Sequence, residues 1–349
     1  MAGVAPVLIG ILNDFPAADG GKATETALHL GLGDVRATGR LDREVELLSC
    51  PVAGLPMGSE HDVQVGFQSL VDAGCLLVVG PAISDNGLIV RPLGDAAGLS
   101  TINYTGGEQT RSEWAFQYQV GSLEEEPAVL AARLDARGLR RPAVVHDRSP
   151  VGRRYAECFD DAAAVLGLEI VGRTTISPVA EDVSGALDRL RHAEPDSLVY
   201  LGLGLTSGPV AVGLAALGWE VPVVANSALM FGYVRPEWRD GWHGWEYLDG
   251  IADDNQSRRR LADLDPASAA GPVGCAMFDI GRLIGEALAR TDHLTRSGLR
   301  DALERIKLLP ATCGVEGTTM GFGHYDHGAL TGQYLVLREW RDGRTVQVV

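Results

Sequence analysis

VVGPAISDN (Val78–Asn86) and STINYTGG (Ser100–Gly107) each begin as a short apolar run and empty into a polar, glycine-bearing loop. A run of this length, followed by helical spacing over Ile89–Ala97, reads as a buried parallel strand, a turn and a crossover helix. Upstream, the strand VLIGIL (Val7–Leu12) leads through NDFPAADGG to a helix from Lys22 to Ala37. The strand EVELLS (Glu44–Ser49) then leads to a helix over Ser59–Ala73 that stops at Gly74. Strands follow at Leu76–Gly80 and Leu99–Asn103, so the first series is a βαβ sheet.

The same arrangement is laid down a second time. After the crossing segment AFQYQVGSLEEEP, a helix over Ala128–Arg137 precedes the strand PAVVHD (Pro142–Asp147). Helices over Gly152–Leu166, Val183–His192 and Pro209–Leu217 then alternate with the strands EIVGRTTI, SLVYLGLG (Ser197–Gly204) and VPVVAN (Val221–Asn226). The regularity breaks in the C-terminal part, where helices over Val273–Arg290 and Arg296–Lys307 precede a β-rich tail. There RDGR (Arg341–Arg344) has the chemistry of a tight hairpin turn. The expected fold is α/β, with two doubly wound, Rossmann-like lobes joined by a multi-strand hinge. Residues 1–121 and 252–328 form the N-terminal lobe, and 122–251 with 329–349 the C-terminal lobe. In open parallel sheets, ligands bind beyond the carboxyl ends of the strands, so the two loop sets are expected to face one ligand cleft.

The 349 residues suffice for two such cores, and 46% hydrophobic with 22% charged residues is an ordinary globular balance. A formal charge of −16 argues against nucleic acid as a partner, because phosphate recognition needs a basic face. No stretch reaches the roughly 20 apolar residues of a membrane span, so membrane insertion is not expected. The first strand begins too early to leave room for a signal peptide. LLSC (Leu47–Cys50) resembles a lipobox, but the polar LDREVE before it is no signal core. The compartment stays open: extracytoplasmic if a signal has been removed, cytoplasmic if Met1 is the natural start. Cys50, Cys75, Cys158, Cys275 and Cys313 are scattered, without metal spacing, and read as buried thiols. At most one or two disulfides could form in an exported chain, and the pairing is open.

Enzyme signatures are missing. There is no G-x-S-x-G elbow and no phosphate-binding G-x-x-x-x-G-K-[ST] loop, and GLGLTSG (Gly202–Gly208) has its third glycine one place late for a dinucleotide fingerprint. No cofactor is expected. The one cluster of metal-ligand types, His324 and His327 in HYDH, reads as an exposed loop without further partners. His146 and Asp147 end a strand, where Asp147 either faces the cleft or caps a helix. Glu124–Glu126 before Pro127 reads as a helix start with carboxylates at the positive end of the dipole. The tryptophans of EWRDGWHGWEY (Glu237–Tyr247) read as packing of an irregular segment, with Trp242 or Trp245 as alternative cleft residues.

Taken together, the chain resembles the solute-binding proteins of ABC transporters with the type I periplasmic-binding fold, in the branched-chain amino acid and amide receptor group. The resemblance rests on VGPAIS (Val79–Ser84) with Pro92, on INYT (Ile102–Thr105) continuing to Thr110, and on HDRSPVGRRY (His146–Tyr155). It continues in FDIGRLIGEAL (Phe278–Leu288), LRDALERI (Leu299–Ile306), GTTMGF (Gly317–Phe322) and HGALTGQYLV (His327–Val336). It spans essentially the whole chain. It implies a non-catalytic receptor that closes on a small-molecule solute and, if exported, delivers it to an ABC permease. The alternative is a cytoplasmic sensor of the amide-responsive type.

The resemblance also implies site residues. Ser84 from the third strand's loop, and Asn103 and Thr105 from the fourth's, would hold a carboxylate or amide, with Tyr104 between them as a wall. The aromatic position of amino acid receptors is Val151 here. The acidic position that pairs with a ligand ammonium falls in ANSALMFGY, where Asn226 and Ser227 stand instead. A buried ammonium without a counter-charge is costly. The ligand is therefore expected to be a carboxylate, an amide, or an aromatic or hydroxylated small molecule rather than a simple zwitterionic amino acid, unless Asp14, Asp19 or Asp85 supplies the charge. Phe15, Met230, Phe231 and Phe278 are the remaining candidate walls.

Overall fold

The structure, a computed structural model, describes residues 6–14, 21–230 and 236–348. It divides into two compact units, Met1–Val120 with Ile251–Tyr334 and Gly121–Gly250 with Leu335–Val349. Residues 329–334, which the sequence reading assigns to the second lobe, fall in unit 1.

Unit 1 opens with β1 (Val7–Asn13), α1 (Lys22–Ala37), β2 (Val45–Pro51), α2 (Glu60–Asp72), β3 (Leu77–Val79), α3 (Ser84–Ala97), β4 (Ser100–Asn103) and β5 (Ala115–Gln117). The five strands are parallel, in the order β2-β1-β3-β4-β5. β3, β4 and β5 are buried throughout, as strands covered on both faces must be. α2 starts where the Ser59 hydroxyl accepts from the Asp62 amide at 3.1 Å. α3 begins at Ser84 rather than at Ile89 as the spacing suggests, and carries Pro92 in its interior.

Unit 2 comprises α4 (Glu126–Ala136), β6 (Pro142–Asp147), α5 (Pro150–Leu166), β7 (Gly172–Ile176), α6 (Ser184–Arg191), β8 (Ser197–Leu201), α7 (Ser207–Ala216), β9 (Val223–Ala225) and β10 (Glu246–Asp249). The chain returns to unit 1 for α8 (Gln256–Leu264), α9 (Pro272–Arg290), α10 (Arg296–Glu304) and the small antiparallel sheet of β11 (Leu309–Pro310), β12 (Thr319–Met320) and β13 (Leu330–Thr331). It ends in unit 2 with the hairpin β14 (Val336–Arg341) and β15 (Arg344–Gln347). Asp342 and Gly343 turn this hairpin with φ of 50° and 72°, the left-handed pair that RDGR predicts.

The second sheet runs β15-β14-β10-β9-β8-β6-β7. Its parallel part, β7-β6-β8-β9-β10, repeats the strand order of unit 1, with the antiparallel hairpin added at β10. The tryptophan-rich stretch supplies β10 and a core in which Trp242, Trp245 and Trp340 are buried together, so they pack as structural residues.

α1 and α9 pack backbone to backbone through glycines. A Cβ on Gly31 would overlap the Phe278 carbonyl and come within 2.9 Å of the Arg282 nitrogen, and one on Gly281 would overlap the Leu28 carbonyl. Gly31→Ala therefore destabilises the protein by about 1–3 kcal/mol in chemical unfolding, as overpacking does. Gly33, exposed on the same helix with nothing within 4 Å, gains about 0.5–1 kcal/mol as Ala. Equal effects at the two positions would refute the glycine contact.

Candidate functional site

In both sheets the chain order reverses between the first strand and its neighbour, at β1/β3 and at β6/β8. This is the topological switch point where α/β sheets leave a crevice beyond their strand ends. In each unit one buried carboxylate crosses it. Asp14, just past β1, accepts from the amides of Ala82 (2.8 Å) and Ile83 (3.1 Å) after β3, and from Asn86 Nδ2 (2.7 Å). Asp147, ending β6, accepts from the Leu203 amide (2.7 Å) after β8, from the Ser149 amide (3.0 Å) and from the Ser149 hydroxyl. Burial raises both carboxyls above their usual range, against the pull of these donors. Glycine makes the crossings possible. A Cβ on Gly202 would overlap the Asp147 carboxylate, and Gly80, at φ 104°, lies against the Leu12 carbonyl.

Around the unit 1 switch point the loops after β3 and β4 are knit together. The Gly107 amide donates to Ser84 Oγ at 3.1 Å, and the Tyr104 amide to the Pro81 carbonyl at 3.1 Å. Thr105 Oγ1 donates to Asn103 Oδ1 at 2.9 Å. Gln117 holds this pair from β5, donating to the Thr105 carbonyl at 2.8 Å while accepting from Arg111 Nε at 2.6 Å. Tyr104 is buried, and its phenol is raised by burial and by the nearby Asp14 charge. Donors in this set remain unspent among the described residues, Ser84 Oγ and Asn103 Nδ2 among them. Ser84 Oγ only accepts, and Asn103 Nδ2 has no protein partner, although the residues are 7% and 2% exposed.

In unit 2, Asn226 staples the loops after β8 and β9, accepting from the Gly202 amide at 3.2 Å and donating to its carbonyl at 2.9 Å. Ser227 meets a carboxylate that the sequence reading did not place there. Glu126, at the start of α4, accepts from the Ser227 amide (2.6 Å) and hydroxyl (2.8 Å), the Ser122 amide (2.6 Å) and the Tyr155 hydroxyl (2.9 Å). It is fully buried, and burial raises its carboxyl. The helix start expected at Glu124–Glu126 is present, and its last carboxylate is in addition a buried acceptor. The run shows no helical phase of its own, and only the packing of α4 on α5 selects which glutamate turns inward.

Of the other expected residues, Asp85 lies buried in the first turn of α3 and Val151 in that of α5. Phe278 is buried mid-way along α9, with Arg282 Cζ 5.8 Å over its ring. Phe15, Asp19 and Phe231 lie outside the described residues, as does the side chain of Met230. Gln117, Glu126 and Asn86 were not anticipated, and isolated polar residues of this kind carry no sequence signal. HYDH differs from the exposed loop expected of it. His324 is exposed and bonded to Glu304 (2.8 Å), whereas His327 is buried against Phe116, with ring centroids 3.9 Å apart. They border a cavity of about 570 Å³ in unit 1 with Arg111 and Arg300. Among the described residues, no group of three His, Cys, Asp or Glu is arranged to hold a metal, and no helix is long and apolar enough to cross a membrane.

Paired sheets of one strand order, each with a buried polar lattice at its strand ends, define a two-unit binding protein of type I architecture. The sequence profile of the family described as periplasmic binding protein matches residues 6–344, and the chain belongs to that family. Its members are solute-binding proteins, not catalysts. Among solved structures, the chain resembles a type 1 periplasmic binding protein from Bordetella pertussis Tohama I (17% identity, TM-score 0.84, 99% of this chain and 100% of that one). It also resembles a leucine binding protein from Thermotoga maritima (13%, TM-score 0.81, 99% and 98%). A third is an ABC transporter substrate-binding protein from Desulfitobacterium hafniense in complex with Leu (19%, TM-score 0.79, 99% and 100%). No curated protein is similar enough in sequence to count as a match.

Glu126 makes stability depend on pH with a definite sign. Its carboxyl is raised above the ordinary 4.5, so between pH 4.5 and the folded value the native chain keeps a proton that the unfolded chain has lost. Stability from this group is therefore full below pH 4.5 and lost as pH rises through the folded value. Glu126→Gln removes the linkage and turns an amide NH₂ toward a donor, costing about 1–3 kcal/mol. In urea unfolding from pH 4 to 8, wild type should lose stability relative to the variant as pH rises. A relative gain with pH would contradict the assignment.

Proposed function

We propose that this protein is the substrate-binding component of an ABC importer of the branched-chain amino acid type, and that its solute is a small carboxylate, an amide, or a hydroxylated or aromatic molecule. The observation that carries the ligand class is the unspent donors of Ser84 and Asn103 in unit 1. A hydroxyl that already accepts still has its own hydrogen to give, and Asn103 has a whole NH₂. Donors without protein acceptors suit a carboxylate or carbonyl oxygen, and a hydrogen bond to a charged group is worth about 1.5–3 kcal/mol. Thr105 contributes by position, since its hydroxyl is spent on Asn103 Oδ1.

In unit 2, Val151, Asn226 and Ser227 are the residues the proposal assigns to a solute. Glu126 puts a carboxylate beside Ser227, with Oε1 accepting from the Ser122 amide, the Tyr155 hydroxyl and the Ser227 hydroxyl and Oε2 from the Ser227 amide. Asp14 is engaged by three donors. At both carboxylates a ligand ammonium would compete with protein donors already in place.

A second reading has an observation of its own: two of the similar structures are described as binding leucine, although at 19% and 13% identity they speak for the fold alone. Thermal shift separates the readings, because a ligand that binds only the native state raises the melting temperature. Short carboxylates or amides should raise it while leucine and valine do not; a clear shift with leucine or valine would sink the ligand class proposed. For the responding solute, Ser84→Ala should weaken binding about 10- to 100-fold in titration calorimetry, at tenfold per 1.4 kcal/mol. Unchanged affinity would remove Ser84 from the site.

A further inference from the structure

Arg111, between β4 and β5, is not among the residues assigned to a solute, yet a chain of hydrogen bonds joins it to them. Its guanidinium lies against the backbone of Gly328, where a Cβ would come within 2.7 Å of Arg111 Cζ. Nη1 donates to Asp326 Oδ1 at 2.8 Å, and that oxygen also accepts from the Gly328 amide at 2.9 Å. With the guanidinium held in this way, Nε donates to Gln117 Oε1 at 2.6 Å.

A guanidinium carries donors and no acceptor, so this contact decides which end of the Gln117 amide faces it. The oxygen turns to Arg111 and the NH₂ to Thr105. Gln117 Nε2 accordingly donates to the Thr105 carbonyl at 2.8 Å and lies 3.4 Å from the Thr105 hydroxyl. Gln117 is buried and clamped through its backbone, its amide donating to the His327 carbonyl and its carbonyl accepting from the Ala329 amide, each at 2.8 Å. The Thr105 hydroxyl, approached by an N–H, gives its own hydrogen to Asn103 Oδ1 at 2.9 Å. Thr110 Oγ1 lies 3.3 Å from the same oxygen, but its hydrogen goes to the nearer Gly107 carbonyl at 2.7 Å.

On the reading in which Asn103 Nδ2 meets the solute, and resting on it, we propose that Arg111 is a positioning residue. Acting through Gln117 and Thr105, it holds the Asn103 amide with its oxygen toward Thr105, so that the NH₂ is the end left for a solute. The two ends of an amide are nearly alike in shape, and neighbouring donors have to choose between them. The consequence is selectivity: an outward NH₂ favours a carboxylate oxygen, whereas the reversed amide presents an acceptor and repels one.

Gln117→Glu should reverse the chain. The new carboxylate still accepts from Arg111 but has no hydrogen for the Thr105 carbonyl. The Thr105 hydroxyl then donates to that carboxylate, and Asn103 turns its NH₂ to the Thr105 oxygen. Neutron diffraction from deuterated, solute-free crystals reads the orientation directly. The deuterons of the Asn103 amide should lie on the atom remote from Thr105 in wild type and on the atom next to Thr105 in Gln117→Glu. Calorimetric titration with butyrate and butyramide reads the consequence. Relative to butyramide, butyrate should bind Gln117→Glu and Arg111→Met about tenfold more weakly than wild type. Arg111→Lys restores a donor and should recover part of the loss, and Asp326→Asn keeps an acceptor for Arg111 and should match wild type. Deuterons toward Thr105 in wild type, an orientation unchanged by Gln117→Glu, or a butyrate-to-butyramide ratio unmoved by both Gln117→Glu and Arg111→Met would overturn the proposal. If wild type binds neither compound, the ligand class fails instead, and the neutron maps alone decide the role of Arg111.

Discussion

Each unit depends on one carboxylate that crosses the switch point of its sheet. Parallel strands leave amides pointing out of their carboxyl ends, and where the chain order reverses, the loops on either side have no reason to stay together. Asp14 in unit 1 and Asp147 in unit 2 close that gap with neutral N–H and O–H donors. Burying such a group costs more than it returns unless its oxygens are satisfied, so the loops have to arrive in register. Gly80 and Gly202 permit the approach, since a side chain at either would occupy space taken by the Leu12 carbonyl or by Asp147 itself.

Further polar side chains extend the lattice outward. Gln117 links β5 to the loop of Thr105, Asn226 links the loops after β8 and β9, and Glu126 holds Ser227 from α4. Nearly every polar group at the strand ends is thereby committed to the protein, which keeps the rest in place. A binding surface with few unspent donors selects by what they lack. Ser84 and Asn103 carry donors without protein acceptors in unit 1, whereas the Glu126 carboxylate of unit 2 already accepts four hydrogen bonds. Pre-formed donors of this kind give up little freedom when a solute arrives, because the lattice has already ordered them.

Much of the fold was legible in the sequence. Lys22–Ala37 as a helix, Pro142–Asp147 as a strand and Arg341–Arg344 as a hairpin turn follow from periodicity and turn chemistry, because each depends only on near neighbours. The duplication of the βαβ series was readable for the same reason. β10 was not, since Glu246–Asp249 is a strand only by virtue of the partners β9 and β14 on either side of it. The early start of α3 at Ser84 was not legible, since SDNG (Ser84–Gly87) reads locally as a polar turn.

The candidate site divides in the same way. Ser84, Asn103 and Thr105 could be singled out by their place after apolar runs, but their roles could not. Thr105 spends its hydroxyl on Asn103, and Asn226 spends its amide on Gly202, through contacts that fold distant or crossed loops onto each other. Glu126 reads as one of three glutamates at a helix start and becomes the buried acceptor for a serine 101 positions away. His327 likewise leaves its polar loop to stack on Phe116. The sequence by itself determined the class of fold, because local patterns of burial and turning repeat along the chain. Only the tertiary structure decided which polar groups are spent on the protein and which are not, because a hydrogen bond belongs to two residues and their meeting is set by packing.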